Sequence, residues 1–184
     1  SYWCRSQIKH KDGFEVMDFQ IREMRPEDWT AVAAIYKDGI DTNLATFQND
    51  IPTYSEWDAA HLPFCRFVAE RAGEVLGWAA LSPVSSRCVY AGVAEVSVYT
   101  SSGTKRIGVG SALMNALLKQ SEQNGIWTLQ SGIMENNTAS IRLHEKCGFR
   151  MVGYRERIGK DRFGTWRNTV LMERRCAEDE INSL

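Results

Sequence analysis

The chain has 184 residues, 43% of them hydrophobic and 24% charged, which is enough apolar material for one buried core and too mixed for a disordered or fibrous chain. Its 22 basic and 23 acidic side chains leave a formal net charge of −1, which excludes a broad basic field for nucleic acid or an anionic membrane, so any anion site must be local. Five scattered cysteines without a Cys-x-x-Cys pair argue against a disulfide framework or zinc site and suit a reducing cytoplasm, the three histidines are too dispersed for a metal motif, and no apolar run is long enough to span a bilayer.

Residues 1–16 lack the apolar core of a signal peptide and are expected to be an N-terminal extension or a cloning remnant. A single domain is expected over 17–176, with 177–184 as a tail. Phe19 to Met24 alternates apolar and polar residues, as a half-buried strand does. Pro26-Glu27-Asp28 opens a helix, with Val32, Ile35 and Tyr36 as its apolar stripe and Gly39 near its end. Thr42 to Pro52 reads as a polar loop interrupted by Leu44 and Phe47. Thr53 and Glu56 form a capping box for a short helix reaching His61. Phe67-Val68-Ala69 and Val75 to Leu81 flank Ala72-Gly73-Glu74 as a hairpin.

Val93 to Tyr99 is the next strand, with Val93, Glu95, Ser97 and Tyr99 on one face and Ala94, Val96 and Val98 on the other. Lys105-Arg106-Ile107-Gly108-Val109-Gly110-Ser111 then puts two cations, two glycines and a hydroxyl at the start of a helix whose apolar face is Leu113, Ala116, Leu117 and Leu118. Such a helix start offers unpaired N–H groups and partial positive charge, and glycine lets the backbone approach a phosphate closely. Two readings stand on the loop alone: a pyrophosphate cradle, or a surface loop that carries glycine before a helix. A strand near Thr128 to Met134 follows, then a helix from Asn136-Asn137-Thr138-Ala139-Ser140 through Lys146, ended by Gly148. Strands near Arg150 to Ile158 and Thr165 to Glu173, joined by a turn over Gly159 to Gly164, complete one α/β domain with a mixed sheet. The glycines lie past mid-chain with no acid about 20 residues on, so no dinucleotide fingerprint exists, and no Gly-Lys-Ser/Thr follows to make a Walker loop.

Taken in order, these motifs resemble the GCN5-related N-acetyltransferase superfamily. The family's Arg/Gln-x-x-Gly-x-Gly/Ala loop is matched by Lys105 to Gly110, with Lys in place of Arg or Gln at the first position. Asn137 and Ser140 match its Asn-x-x-Ser, and Leu143-His144-Glu145-Lys146-Cys147-Gly148-Phe149 matches its Leu-His-Glu-Lys-x-Gly-Phe segment. Asn43-Leu44-Ala45-Thr46-Phe47, Arg87-Cys88-Val89-Tyr90, Ala94 to Tyr99 and Gly164-Thr165-Trp166-Arg167-Asn168 resemble the phosphinothricin (methionine sulfoximine) acetyltransferase branch, with Asn168 where that branch usually has Asp. The resemblance runs from Phe19 to Arg174. It implies a mixed, mostly antiparallel sheet of about six or seven strands flanked by about four helices. It also implies a cytoplasmic homodimer that uses acetyl-CoA without a metal and acetylates a small amine, with no nucleic acid or membrane partner.

Acetyl transfer from a thioester to an amine requires a held donor, a deprotonated amine, a stabilised oxyanion and a departing thiolate. The resemblance assigns the pyrophosphate to Lys105, Arg106, Ile107, Gly108, Val109, Gly110 and Ser111, and the pantetheine arm to the strand Val96-Ser97-Val98. The N–H of Ser97 or Val98 would polarise the carbonyl, and Asn137 would bond the arm with Ser140 nearby. Asn137 is equally an ordinary N-cap, and the two roles are compatible.

Glu95 is a carboxylate in a valine-rich strand, either a partly buried functional group or a surface-facing strand residue paired with a cation. The family match makes it the base. The reference pKa values of about 10.4 for an alkylammonium and 4.3 for Glu imply proton transfer through an ordered water. His144 stands where many members carry a Tyr acid. It would protonate the sulfur or orient a water, or else pack on the sheet, and Tyr99 is a second candidate that also reads as a structural strand residue.

An amino-acid acceptor brings a carboxylate. Arg87 is the expected clamp, with Ser85, Ser86 and Tyr90 around it and Thr46 and Phe47 supplying a hydroxyl and an apolar wall. Phe47 also reads as core packing, and Trp78 and Trp166 as sheet packing. Cys88 and Cys147 sit in no activating cluster, so direct attack is expected rather than an acetyl-cysteine intermediate. The main reading is an acetyl-CoA-dependent N-acetyltransferase of amino-acid-like amines. The alternatives are a polyamine or protein N-terminal acetyltransferase, and a non-catalytic acyl-CoA-binding sensor.

Overall fold

The computed structural model describes residues 19–104 and 106–176, so the proposed N-terminal extension, the tail and Lys105 lie outside the described residues. In chain order the elements are β1 (Gln20–Glu23), α1 (Trp29–Asp41), α2 (Tyr54–Ala60), β2 (Phe67–Arg71), β3 (Glu74–Pro83), β4 (Val93–Thr100), α3 (Val109–Gln123), β5 (Thr128–Met134), α4 (Thr138–Lys146), β6 (Arg150–Lys160) and β7 (Trp166–Arg175). The strands form one sheet in the order β1-β2-β3-β4-β5-β7-β6. Neighbours run antiparallel except β4 and β5, which are parallel and joined by the α3 crossover. The α/β fold with a mixed, mostly antiparallel sheet is the one the sequence implied.

Alternation along β3 from Trp78 to Leu81, with a register irregularity against β2 that turns Leu76 to the opposite face from Trp78, explains the two layers. Leu76, Ala79 and Leu81 face Leu113, Met114 and Leu117 of α3, whereas Trp78 and Ala80 face Val32, Ile35 and Ile40 of α1 and Trp57 of α2. Both faces of this central strand are therefore covered, and its residues from Leu76 to Leu81 are buried.

Local signals account for the boundaries. Thr53 Oγ1 accepts from the Glu56 N–H at 3.2 Å while the Glu56 carboxylate accepts from the Thr53 N–H at 2.8 Å, the capping box expected for α2. Ala72 and Gly73 adopt φ of 50° and 82°, the left-handed pair that a two-residue hairpin between β2 and β3 requires.

Three expectations change in detail, and the place of Gly39 near the end of α1 gains a reason. Pro26–Asp28 forms a 3-10 turn before α1 begins. Gly39 lies inside α1, where its missing Cβ makes room for Tyr99: a Cβ would stand 2.7 Å from that ring. The last turn narrows to residues 161–165 because β6 runs on to Lys160. Trp166 does not pack in the sheet: it is 53% exposed with Lys160 Nζ over its ring at 4.9 Å.

Candidate active site

The parallel pair β4–β5 stays together only from Val93 to Glu95, opposite Thr128 to Gln130. Beyond that register Val96–Tyr99 and Ser131–Ile133 part and become the two walls of a cleft of about 840 Å³. The α3 N-terminus, α4 and the loop after α1, from Ala45 to Gln48, complete its lining. Strand backbone freed by the splay has lost its ladder partner, so its N–H and C=O groups are available to an extended ligand.

At the α3 end, Gly108 is the N-cap with φ of 88°, a conformation that favours glycine. The helical ladder starts with the Ala112 N–H donating to the Gly108 carbonyl at 3.0 Å, so the N–H groups before it point out of the helix end. Gly108, Val109, Gly110 and Ser111 line the cleft, with Arg106 and Lys146 as the cations. Gly110 also brings α3 against α4, since a Cβ there would sit 3.2 Å from Leu143 Cδ2. Ile107 does not line the cleft; its side chain packs on the core instead.

Glu95 sits where the strands divide. It is exposed rather than partly buried, with Gln130 Nε2 at 3.5 Å from Oε2. Val96, Ser97 and Val98 continue along the wall. Asn137 caps α4, its Oδ1 accepting from the Ser140 N–H at 3.3 Å, while its Nδ2 donates to the Leu44 carbonyl at 3.3 Å. Both Asn137 and Ser140 line the cleft.

His144 requires a correction. Its ring is 4% exposed and edge-on to Phe149, and Nδ1 lies 2.7 Å from the Ser140 carbonyl, which can only accept. The Nδ1 atom therefore carries the proton, and Nε2 is a bare, buried acceptor without a partner among the described residues. Burial also pulls its pKa below 6.5, against the smaller opposing effect of the Ser140 bond. His144 also lines the cleft; a neutral imidazole with its proton held by the Ser140 carbonyl does not suit protonation of the sulfur, whereas the bare Nε2 can accept from a water, so the water-orienting and packed readings both fit.

The acceptor residues divide into two groups. Thr46 and Phe47 line the cleft, and Phe47 is 38% exposed, so it is not core packing. Ser85, Ser86, Arg87 and Tyr90 do not line the cleft. They occupy the link between β3 and β4, which leaves the sheet just past Ser82, the register partner of Glu95. Arg87 is exposed, has no acidic partner among the described residues, and lies over the Tyr90 ring at 5.7 Å. Cys88 and Cys147 are also off the cleft, and partial burial pushes the Cys147 thiol up, which disfavours its thiolate.

Sequence reasoning passed over Tyr36, Gln48 and the β5 wall Ser131-Gly132-Ile133. Gly132, a glycine inside a strand, was the available signal for close backbone approach. Tyr99, offered as either a donor or a structural strand residue, stacks on Trp78 at 4.9 Å as the structural reading expects, and it also lines the cleft. Burial raises its pKa, so the hydroxyl stays protonated.

Three groups give the fold an acid profile. Burial depresses His144 and, near Trp57, His61 below the ordinary 6.5, so the unfolded chain binds protons first. Stability contributed by keeping both rings neutral is full above about pH 6.5 and falls as pH drops below it. Asp161 is held at about 2 rather than 3.8 by the Asn43 amide, with the Thr165 and Phe163 N–H groups and Arg167 also lowering it. Its contribution is present above the ordinary carboxylate value and is lost as pH falls toward about 2. Denaturant midpoints measured from pH 8 to pH 3 should fall in that order, and His144→Asn should flatten the first decline; a midpoint constant from pH 7 to pH 5 contradicts the assignment.

Comparison with known proteins matches this arrangement. The Acetyltransferase (GNAT) family model matches residues 21–149. The chain is 36% identical over 163 residues to a phosphinothricin N-acetyltransferase of Alcaligenes faecalis, covering 84% of this chain and 81% of that protein. It is 30% identical over 163 residues to an L-methionine sulfoximine/L-methionine sulfone acetyltransferase of Pseudomonas paraeruginosa, covering 85% and 94%. A crystal structure of a GNAT superfamily phosphinothricin acetyltransferase from Sinorhizobium meliloti in complex with acetyl-CoA superposes with a TM-score of 0.78 at 25% identity, over 87% of this chain and 89% of that one.

Proposed function

Because this chain belongs to the GNAT acetyltransferase family and is an N-acetyltransferase, we propose that its cleft transfers acetyl from acetyl-CoA to the amine of a small amino-acid-like substrate of the phosphinothricin or methionine sulfoximine type. The observation that carries this reading is the splay of β4 from β5 at Glu95, which places an exposed carboxylate at one end of a cleft whose other end is the cationic α3 start. Arg106 and the N–H groups of Gly108 to Ser111 take the pyrophosphate of the donor, with Lys105 of the same motif contributing charge. The pantetheine arm pairs with Val96 to Val98, and the N–H of Ser97 or Val98 points at the thioester oxygen. Asn137 bonds the arm through the Nδ2 proton that Leu44 leaves free. No metal enters this scheme.

Glu95 acts on the amine through a water. The water takes a proton from the substrate ammonium and passes it to the carboxylate, and the free amine attacks the thioester carbon. The tetrahedral oxyanion is held by the β4 N–H, the nitrogen, cationic after attack, gives a second proton to water in the open cleft, and collapse forms the amide, breaks the carbon–sulfur bond and releases the thiolate. A thiol of ordinary pKa about 8.5 is a good leaving group, and the open cleft lets solvent supply the sulfur's proton. Direct attack in a ternary complex follows, since neither Cys88 nor Cys147 reaches the cleft.

Arg87 supplies the carboxylate clamp in this reading, as the unpaired cation on the loop next to Glu95's strand partner. Release of thiol from acetyl-CoA across methionine sulfoximine, methionine sulfone, phosphinothricin, the common amino acids and spermidine tests the acceptor class. Rates confined to the polyamine overturn it. Arg87→Ala is expected to raise KM for carboxylate-bearing amines about tenfold or more while sparing amines without a carboxylate; equal losses across both classes remove Arg87 from the clamp. The protein works as a cytoplasmic homodimer in this proposal, and among the described residues no helix is long and apolar enough to cross a membrane.

A further inference from the structure

Thr46 and Phe47 reach the cleft from a stretch, residues 43–53, that is neither helix nor strand and is exposed at Ala45, Phe47 and Gln48. Short-range bonds and one from the α4 cap shape it: Thr42 Oγ1 accepts from the Leu44 N–H at 3.2 Å, Thr46 Oγ1 accepts from the Gln48 N–H at 3.1 Å, and Asn137 Nδ2 donates to the Leu44 carbonyl at 3.3 Å. A strap from the far end of the chain grips the start of the loop at Asn43. Asp161, buried at the turn between β6 and β7, accepts from the Phe163 and Thr165 N–H groups at 2.9 and 3.0 Å through Oδ1, which fixes it to its own hairpin. Its Oδ2 accepts from Asn43 Nδ2 at 2.9 Å and from Arg167 Nη1 at 3.1 Å.

Arg167 extends the strap. Its Nη1 also donates to the Asn43 carbonyl at 2.9 Å, and its Nη2 donates to Asn136 Oδ1 at 2.8 Å. Asn43 is thus gripped by side chain and main chain together, and it needs to be, because it sits at φ of 55°, a left-handed conformation uncommon outside glycine. The same hairpin receives Phe47: a Cβ on Gly159 would lie 3.2 Å from that ring. The Arg167–Asp161 side chains are only 12% and 4% exposed, so these charge-assisted bonds are weakly screened.

We propose that Arg167 and Asp161 are positioning residues that hold the Asn43–Phe47 loop over the cleft and thereby set how tightly the amine acceptor binds. The proposal rests on the acceptor reading above, because Thr46 and Phe47 are the groups the strap places. A planar guanidinium reaches three acceptors in fixed directions here, which an ammonium cannot reproduce. Through Asn136 the strap also meets the turn that presents Asn137, so the loop and the α4 start share one anchor.

Steady-state kinetics and amide hydrogen exchange on Arg167→Ala, Arg167→Lys, Asp161→Asn and Gly159→Ala test it. Arg167→Ala and Asp161→Asn are expected to raise the amine KM about tenfold or more while kcat changes about threefold or less and the Kd for acetyl-CoA stays near wild type. Arg167→Lys recovers only part of the loss. Gly159→Ala raises the amine KM without touching the strap, by displacing Phe47. Exchange over residues 43–48 rises in Arg167→Ala while amides of β3 and α3 keep their protection. An amine KM within about twofold of wild type in both Arg167→Ala and Asp161→Asn, or unchanged exchange over the loop, overturns the proposal. If the wild-type protein acetylates no amine, the acceptor reading fails by itself, and the exchange measurement still decides whether the strap holds the loop.

Discussion

Glu95→Gln is expected to lower kcat about 100- to 10,000-fold, the range for losing a positioned general base, while leaving the Kd for acetyl-CoA essentially unchanged. The substitution keeps the side chain's size and its contact with Gln130, and removes only the ability to take up a proton. Glu95 stands at the apex of the splay, on the opposite end of the cleft from Arg106 and the α3 start, so donor binding has no reason to respond. Equilibrium binding of acetyl-CoA and single-turnover rates with a saturating amine separate the two effects. Turnover equal to wild type across pH removes Glu95 as the base, and a lost Kd for acetyl-CoA relocates it to the donor site.

Trp78→Ala should cost about 3–5 kcal/mol of folding stability, a large share of the roughly 5–15 kcal/mol that a domain of this size has. Trp78 is 1% exposed and is the hub of an aromatic cluster: it stacks on Tyr99 at 4.9 Å and meets Trp57 and Tyr36 edge-on at 5.7 and 5.5 Å. Removing it leaves a cavity between β3, α1 and α2 that these rings cannot fill without leaving their own contacts. Tyr99 would lose the surface that orients it, and Tyr99 lines the cleft. The midpoint of denaturant unfolding measures the cost; a shift worth less than about 1 kcal/mol contradicts the close packing described for this cluster.

The sequence made local features legible because short-range physics sets them. The α2 capping box needs only Thr53 and Glu56 three residues apart, and the hairpin turn is signalled by Gly73, which takes a left-handed φ without a Cβ penalty. Asn137 as a cap and the alternation that puts Glu95 and Ser97 on one face of β4 belong to the same class. What stayed hidden depends on distant partners. The splay is a relation between β4 and β5, which an intervening helix separates, and no residue of either strand announces where pairing stops. Asn43 reaches Asp161 across 118 positions, so residues 42–52 read as plain loop. The role of His144 turned on which ring nitrogen meets the Ser140 carbonyl, a matter of side-chain rotation that spacing does not encode. Arg87 is singled out by resemblance, and only the fold reveals that its loop leaves the sheet beside Glu95 without lining the cleft.

The central claim is that this cleft moves acetyl from acetyl-CoA to the amino group of an amino-acid-like acceptor. Incubating the protein with acetyl-CoA and an equimolar mixture of methionine sulfoximine and spermidine, then identifying the acetylated products by mass spectrometry, tests it directly. The account predicts N-acetylated methionine sulfoximine as the main product, formed in step with free CoA and lost in Glu95→Gln. Acetylated spermidine alone, or CoA release without any acetylated amine, would contradict it.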